Sequence, residues 1–180
     1  EDLMDIDVSL GTRGKARPQT QALVPVEVIT AQDLERTGYG ELGKVLEVLL
    51  PSFNFPRAFT ADGTDSARPF TLRGMGADQV LVLINGKRRH SSALLNTNAT
   101  VGRGSTGVDI NMIPIQAIDR IEVLNDGAAA QYGSDAIAGI INIVLKQSTD
   151  TEVKLNVGQT SKRDGELGQA GFSTGYKDKE

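Results

Sequence analysis

The chain has no cysteine, no tryptophan and a single histidine in 180 residues. Without cysteine there are no disulfides and no thiolate chemistry. One histidine, His90, excludes a metal centre built on several imidazoles. No run of about 18 apolar residues occurs, so no segment suits crossing a membrane as a helix. No signal-peptide pattern is visible. A net charge of -4 supplies no broad attraction to nucleic acid, which is not expected as a partner. Aromatic residues make up only 4%.

Glycine, by contrast, is abundant, with 20 residues, which suggests tight turns and close backbone approaches. A hydrophobic fraction of 39% and a charged fraction of 23% fit a folded domain rather than a disordered chain. Catalytic signals are weak. Gly74-Met75-Gly76 follows a strand, but a second strand follows where a dinucleotide loop needs a third glycine and a helix. Ser105 lacks a nucleophile-elbow context, and His90 has no triad partner. No catalytic residue, resident metal or cofactor is expected, and the chain does not read as an enzyme.

Patterning divides the chain into three parts. Residues 1–23 are polar and read as a flexible arm that lacks the apolar mass to offset its ordering entropy. Residues 24–148 carry the folded core. "VPVEVI" is a short strand, and Thr30 with Asp33 forms a capping-box pattern for the helix that follows. Leu42, Val45, Leu46 and Leu49 fall at i, i+3, i+4 and i+7, which gives an amphipathic helix stopped before Pro51. "PFTLRG" and "QVLVLING" are strands separated only by "GMGAD", so a hairpin is expected with its tip at residues 73–79. Residues 87–112 form a long polar loop, and "IDRIEVL" and "GIINIVLK" are the last core strands. The fold class is α+β: a small mixed sheet of about four strands with short helices. In residues 149–180, "TEVKLNVGQ" and "GQAGFSTGY" alternate strictly around an Asp164-Gly165 turn. Each strand is close to the roughly 9–11 residues of a tilted membrane strand, and equally fits a hairpin on a soluble sheet.

Several motifs in order carry a family resemblance. They are Arg120-Ile121-Glu122-Val123-Leu124, then Tyr132-Gly133, then Ala136-Ile137-Ala138-Gly139-Ile140-Ile141-Asn142-Ile143. Upstream stand "FTLRG", "VLVLINGKR" and "LEVLLPSFNF". From about Val24 to Lys146 the chain resembles the plug domain of TonB-dependent outer-membrane receptors. The resemblance implies an active transporter of a Gram-negative outer membrane, in which the plug sits inside a β-barrel. It implies an extracellular small-molecule ligand, such as a siderophore or other metal chelate, and the TonB energy-coupling protein as partner. It also implies that "DGAAAQYGS" is small because the barrel wall packs against it. Most of the barrel lies outside this chain, which has room for its first hairpin only and would by itself be soluble. A soluble periplasmic interaction or signalling domain with the same fold is the second reading left open.

The resemblance places the ligand at the 73–79 tip, and the 87–107 loop is expected at the same end because it follows the returning strand; Arg73, Met75, Lys87, Arg88, Arg89, Asn96 and Asn98 are the candidate contacts. Positive charge there would favour an anionic chelate. Asp5, Ile6, Asp7, Val8, Ser9 and Leu10 stand where the family carries its TonB box, which pairs by strand addition, although the usual core of that box is not reproduced. Asn125 stands where the family often has an Arg implicated in plug–barrel ion pairs, so that charge is missing here.

Overall fold

From the N terminus the chain forms two short strands, β1 (Asp7–Val8) and β2 (Arg17–Pro18), which pair with each other. Strand β3 (Val26–Thr30) leads directly into helix α1 (Ala31–Arg36). The Asp33 amide donates to the Thr30 hydroxyl, and the Thr30 amide and hydroxyl donate to the Asp33 carboxylate. The expected capping box is therefore formed, and these two bonds hold the Asp33 carboxyl below its ordinary value. Helix α2 (Leu42–Leu49) buries Leu42, Val45 and Leu46 and ends before Pro51. Strands β4 (Phe53–Asn54), β5 (Thr71–Leu72), β6 (Val80–Ile84) and β7 (Lys87–Arg88) follow. Strand β8 (Ile118–Leu124), helix α3 (Ala129–Tyr132) and strand β9 (Gly139–Leu145) complete the core. Strands β10 (Glu152–Gln159) and β11 (Glu166–Ser173) form the last hairpin. This computed structural model describes residues 6–10, 16–21, 24–57, 63–64, 66–97, 101–125, 129–147, 150–162 and 164–176.

The main sheet is mixed and five-stranded, in the order β3-β8-β9-β6-β7. The expected hairpin between β5 and β6 does not form. Strand β5 pairs with β4, while β6 lies parallel to β9 and antiparallel to β7. The physical reason lies in the composition of β6. "VLVLI" has no polar side, so it needs partners on both edges and cover on both faces, which a peripheral hairpin cannot supply. The intervening segment turns the chain out of the pair, with Arg73 at φ 56° and Gly74 at φ 72°.

The sheet separates two cores. On one face Val80 and Val82 of β6, Ile121 and Val123 of β8, and Ile141 and Ile143 of β9 pack with Leu34, Leu42, Val45 and Leu46 of the helices. On the other face Leu81, Leu83, Leu124 and Ile140 pack with Val26, Ala136, Val8 and Leu10. Val8 and Leu10 thus depart from the expectation of an unpacked arm, because they supply apolar cover that the second face otherwise lacks. Just beyond that stretch the small residues serve packing inside the domain: Ala136 and Ala138 are buried, and a Cβ on Gly139 would meet the Leu124 carbonyl oxygen. Ala130, Gly133 and Ser134 are exposed, and residues 126–128 lie outside the described residues.

Leu46, Val82, Ile121 and Ile143 are each at most 1% exposed. Replacing Leu46, Ile121 or Ile143 with Ala is expected to cost about 2–5 kcal/mol in urea melts; losses below about 1 kcal/mol at all three would contradict this core.

Candidate functional site

Part of the 87–107 loop meets the 73–79 turn at Ala77, although not through a hairpin. A Cβ on Gly102 or Gly107 would contact Ala77. An open pocket of about 440 Å³ lies between Ala77 and Asp78 on one side and Arg88, Arg89, His90 and Thr106 on the other. Strand β7 makes this possible. It turns back along β6 at Asn85-Gly86 and pairs Arg88 with Leu83, and the Arg89 amide donates to the Val82 carbonyl. Lys87, opposite Ile84, stays at the far end of β6.

The candidate ligand residues differ in availability. Arg88 is exposed and forms an ion pair with Asp135, and it also donates to the Tyr132 carbonyl. Arg73 donates to the Asn125 carbonyl. Arg89 is half-buried and lines the same pocket as Arg88, and no side-chain partner is found for it among the described residues. Met75 packs against the main core. Asn96 is only 2% exposed; its backbone N–H donates to the Ser105 carbonyl, its backbone carbonyl accepts from the Gly104 N–H, and its side-chain Nδ2 is buried with no hydrogen-bond partner among the described residues. Its backbone bonds fold the loop, and its side chain does not reach the surface. Asn98 lies outside the described residues.

The N-terminal candidates pack against the second face of the main sheet. Val8 and Leu10 are buried, Ile6 is half-buried and Asp7 exposed, while Asp5 lies outside the described residues. Between the two buried side chains, the Ser9 amide (3.1 Å) and hydroxyl (2.7 Å) donate to Glu122 Oε2. Glu122 is fully buried and directly opposite Asn142 in the β8–β9 register. Asn142 Nδ2 donates to the same carboxylate oxygen at 3.2 Å, and Asn142 Oδ1 accepts from the Gly86 amide. Arg120 donates to Glu122 Oε1 and to the Asp7 carbonyl. A buried carboxylate is tolerable only when paired and hydrogen-bonded, and here two of its partners come from residues 7–9 and their neighbour Arg120.

The last hairpin is polar on the side facing the domain and apolar on the side facing away. Glu152, Lys154, Asn156, Gln169, Gly171 and Ser173 are half-buried. Val153, Leu155, Val157 and Phe172 are 67%, 73%, 91% and 68% exposed. Lys154 donates to Glu35 on α1 at 2.7 Å.

The family model for the TonB-dependent receptor plug domain matches residues 18–140. The chain belongs to this plug-domain family. Among its relatives, the ferric enterobactin receptor PirA of Pseudomonas aeruginosa is 32% identical over 173 residues, or 93% of this chain and 22% of the relative. The vitamin B12 transporter BtuB of Vibrio cholerae is 35% identical over 142 residues, covering 77% of this chain and 21% of the transporter. Solved structures agree. The siderophore receptor PirA of Acinetobacter baumannii superposes with a TM-score of 0.58 at 28% identity, over 86% of this chain and 22% of that one. A variant of the ferric enterobactin receptor PfeA from Pseudomonas aeruginosa gives 0.60 at 28% identity, with the same coverage of each chain. The chain therefore spans about a fifth of the length of these relatives. The names of these relatives are those of receptors and transporters, not enzymes.

The Glu122–Asn142–Ser9 network of this plug domain was not singled out from its sequence. The signal was present: one polar residue interrupts each of the apolar strands "RIEVL" and "GIINIVL". Only the register shows that the two stand opposite each other. Ser9→Ala removes a donor from the buried carboxylate. It is expected to cost about 1–3 kcal/mol in urea melts and to make residues 6–10 more open to proteolysis; a loss below about 0.5 kcal/mol would contradict this anchoring role.

Proposed function

We propose that this plug domain closes an outer-membrane β-barrel whose wall begins with β10 and β11, and that it gates TonB-coupled uptake of an anionic metal chelate. The observation that carries the reading is the inverted hairpin. A hairpin on a soluble sheet turns its apolar side inward, whereas a membrane barrel turns it toward lipid and keeps a polar interior. Here Lys154, Asn156 and Gln169 face the plug, while Val153, Leu155, Val157 and Phe172 face away. The same distribution weighs against a barrel-free periplasmic domain, which would leave that apolar face in water.

The ligand class rests on charge. Arg88, Arg89 and His90 line the pocket where the 73–79 turn meets the 87–107 loop, and Arg73 stands in that turn. A cluster of guanidinium groups favours carboxylate or catecholate oxygens, which suits a ferric chelate of the kind named for the enterobactin receptors better than a neutral ligand. Asp135 holds Arg88 in place in the absence of ligand, so an anionic group would compete for that guanidinium. Strand addition by TonB at residues 6–10 requires Val8 and Leu10 to leave their cluster and Ser9 to leave Glu122 first. A pull on this segment is thereby transmitted to the centre of the sheet.

Two measurements test the reading in the complete receptor. Single cysteines labelled with a fluorophore at positions 153, 155, 157 and 172 should be quenched by lipid-soluble quenchers in a bilayer, and labels at 154, 156 and 169 should not. The opposite pattern would refute the wall assignment. Separately, the Arg73→Ala/Arg88→Ala/Arg89→Ala variant should take up ferric catecholate at least about fivefold less well at unchanged outer-membrane abundance, the scale expected from losing charge-assisted contacts. Unchanged uptake would refute the basic site.

A further inference from the structure

The plug-facing side of the hairpin carries Glu152, Lys154, Asn156, Gln169, Gly171 and Ser173, with Leu167 on the same face near the turn but 46% exposed. Hydrophobic burial therefore contributes little to seating it. Between it and the plug runs an open cleft of about 450 Å³ lined by both. Its position must come from a few specific contacts, and three stand close together. Lys154 pairs with Glu35, whose carboxyl is held below its ordinary value first by the hydrogen bond from Lys154. The Gln169 amide of the hairpin lies where a Cβ on Gly40 of the plug would stand. Reciprocally, the Gln116 amide of the plug lies where a Cβ on Gly171 of the hairpin would stand.

These contacts form one compact patch. Lys154 and Gly171 are direct cross-strand partners, and Gln169 is opposite Asn156 on the same face. On the plug, Glu35 lies near the end of α1, Gly40 in the link to α2, and Gln116 in the turn before β8. We propose that Glu35, Gly40 and Gln116 form a three-point key that seats the first wall hairpin by taking Lys154, Gln169 and Gly171. The assignment of the hairpin as wall rests on the function proposed above. An ion pair this exposed contributes little alone. Two side chains entering sockets from opposite directions add shape, which fixes the sliding register of the wall on the plug. The cation sits on the wall and the anion on the plug, at a site separate from Asn125.

The test uses the full 180-residue chain, which has no cysteine of its own. Because the Gln169 amide reaches the Gly40 Cβ position, a Gly40→Cys/Gln169→Cys pair falls within disulfide reach. Its oxidation rate should fall at least about fivefold when Glu35→Lys or Lys154→Glu is added, and return to within about twofold when both are present, as a directly coupled pair requires. Gly171→Ala should also slow it, whereas Gly168→Ala should not, since nothing lies within 4 Å of a Cβ at Gly168. Equal rates in all charge backgrounds, or equal effects of the two glycine changes, would overturn the key while leaving the wall assignment standing. No cross-link in any background would also overturn it, and the lipid-side labelling would still judge the wall independently.

Discussion

The central strands of this plug domain must be covered on both faces, and most of its architecture follows from that constraint. Strand β6 reads "VLVLI" and places Val80 and Val82 in one core, Leu81 and Leu83 in the other. The helices cover one face. On the second face, Val8 and Leu10 join Val26, Leu124 and Ile140. The N-terminal segment is thus part of the fold rather than an appendage to it. Its polar side chain Ser9 reaches Glu122, a carboxylate whose burial would be costly without it. Burial of apolar surface and satisfaction of one charge therefore depend on the same few residues.

The hairpin obeys the opposite rule. Val153, Leu155, Val157 and Phe172 face away from the domain and mostly polar residues face in, so little holds it except charge and shape. On the function proposed above, this division suits a plug that stays folded while its contact with the wall is reversible. The sheet is held by two hydrophobic cores, and the seat by the Lys154–Glu35 and Lys146–Glu152 salt bridges and two glycine sockets. Changes to the seat should leave the sheet intact.

Much of this was legible in the chain. The Thr30–Asp33 cap, the α2 stripe, the strands β3, β6, β8 and β9 and the final hairpin all follow from local pattern, because each is decided by neighbours within a few residues. The partner of β6 was not legible. A short link suggested a hairpin with β5, but a fully apolar strand gains more at the centre of the sheet, where β9 lies parallel to it. Of the candidate ligand residues, Arg88 and Arg89 line one pocket, while Arg73 donates to the Asn125 carbonyl. Lys87 stays at the other end of β6, and Asn96 is buried. Sequence spacing cannot separate these, since Lys87 and Arg88 are adjacent and differ only in where the returning strand leaves them.

By itself the sequence determined the family motifs, the helix caps, the period of each strand and the alternation of the last hairpin, all of which are encoded by residues close together along the chain. Tertiary structure decided which strands pair, that residues 6–10 close the second face, that Glu122 meets Asn142 and Ser9, and which side of the hairpin meets the plug. These depend on contacts between residues as far apart as 133 positions, as with Ser9 and Asn142. Long-range pairing is selected by total burial and charge satisfaction over the whole domain, which no short window of sequence contains.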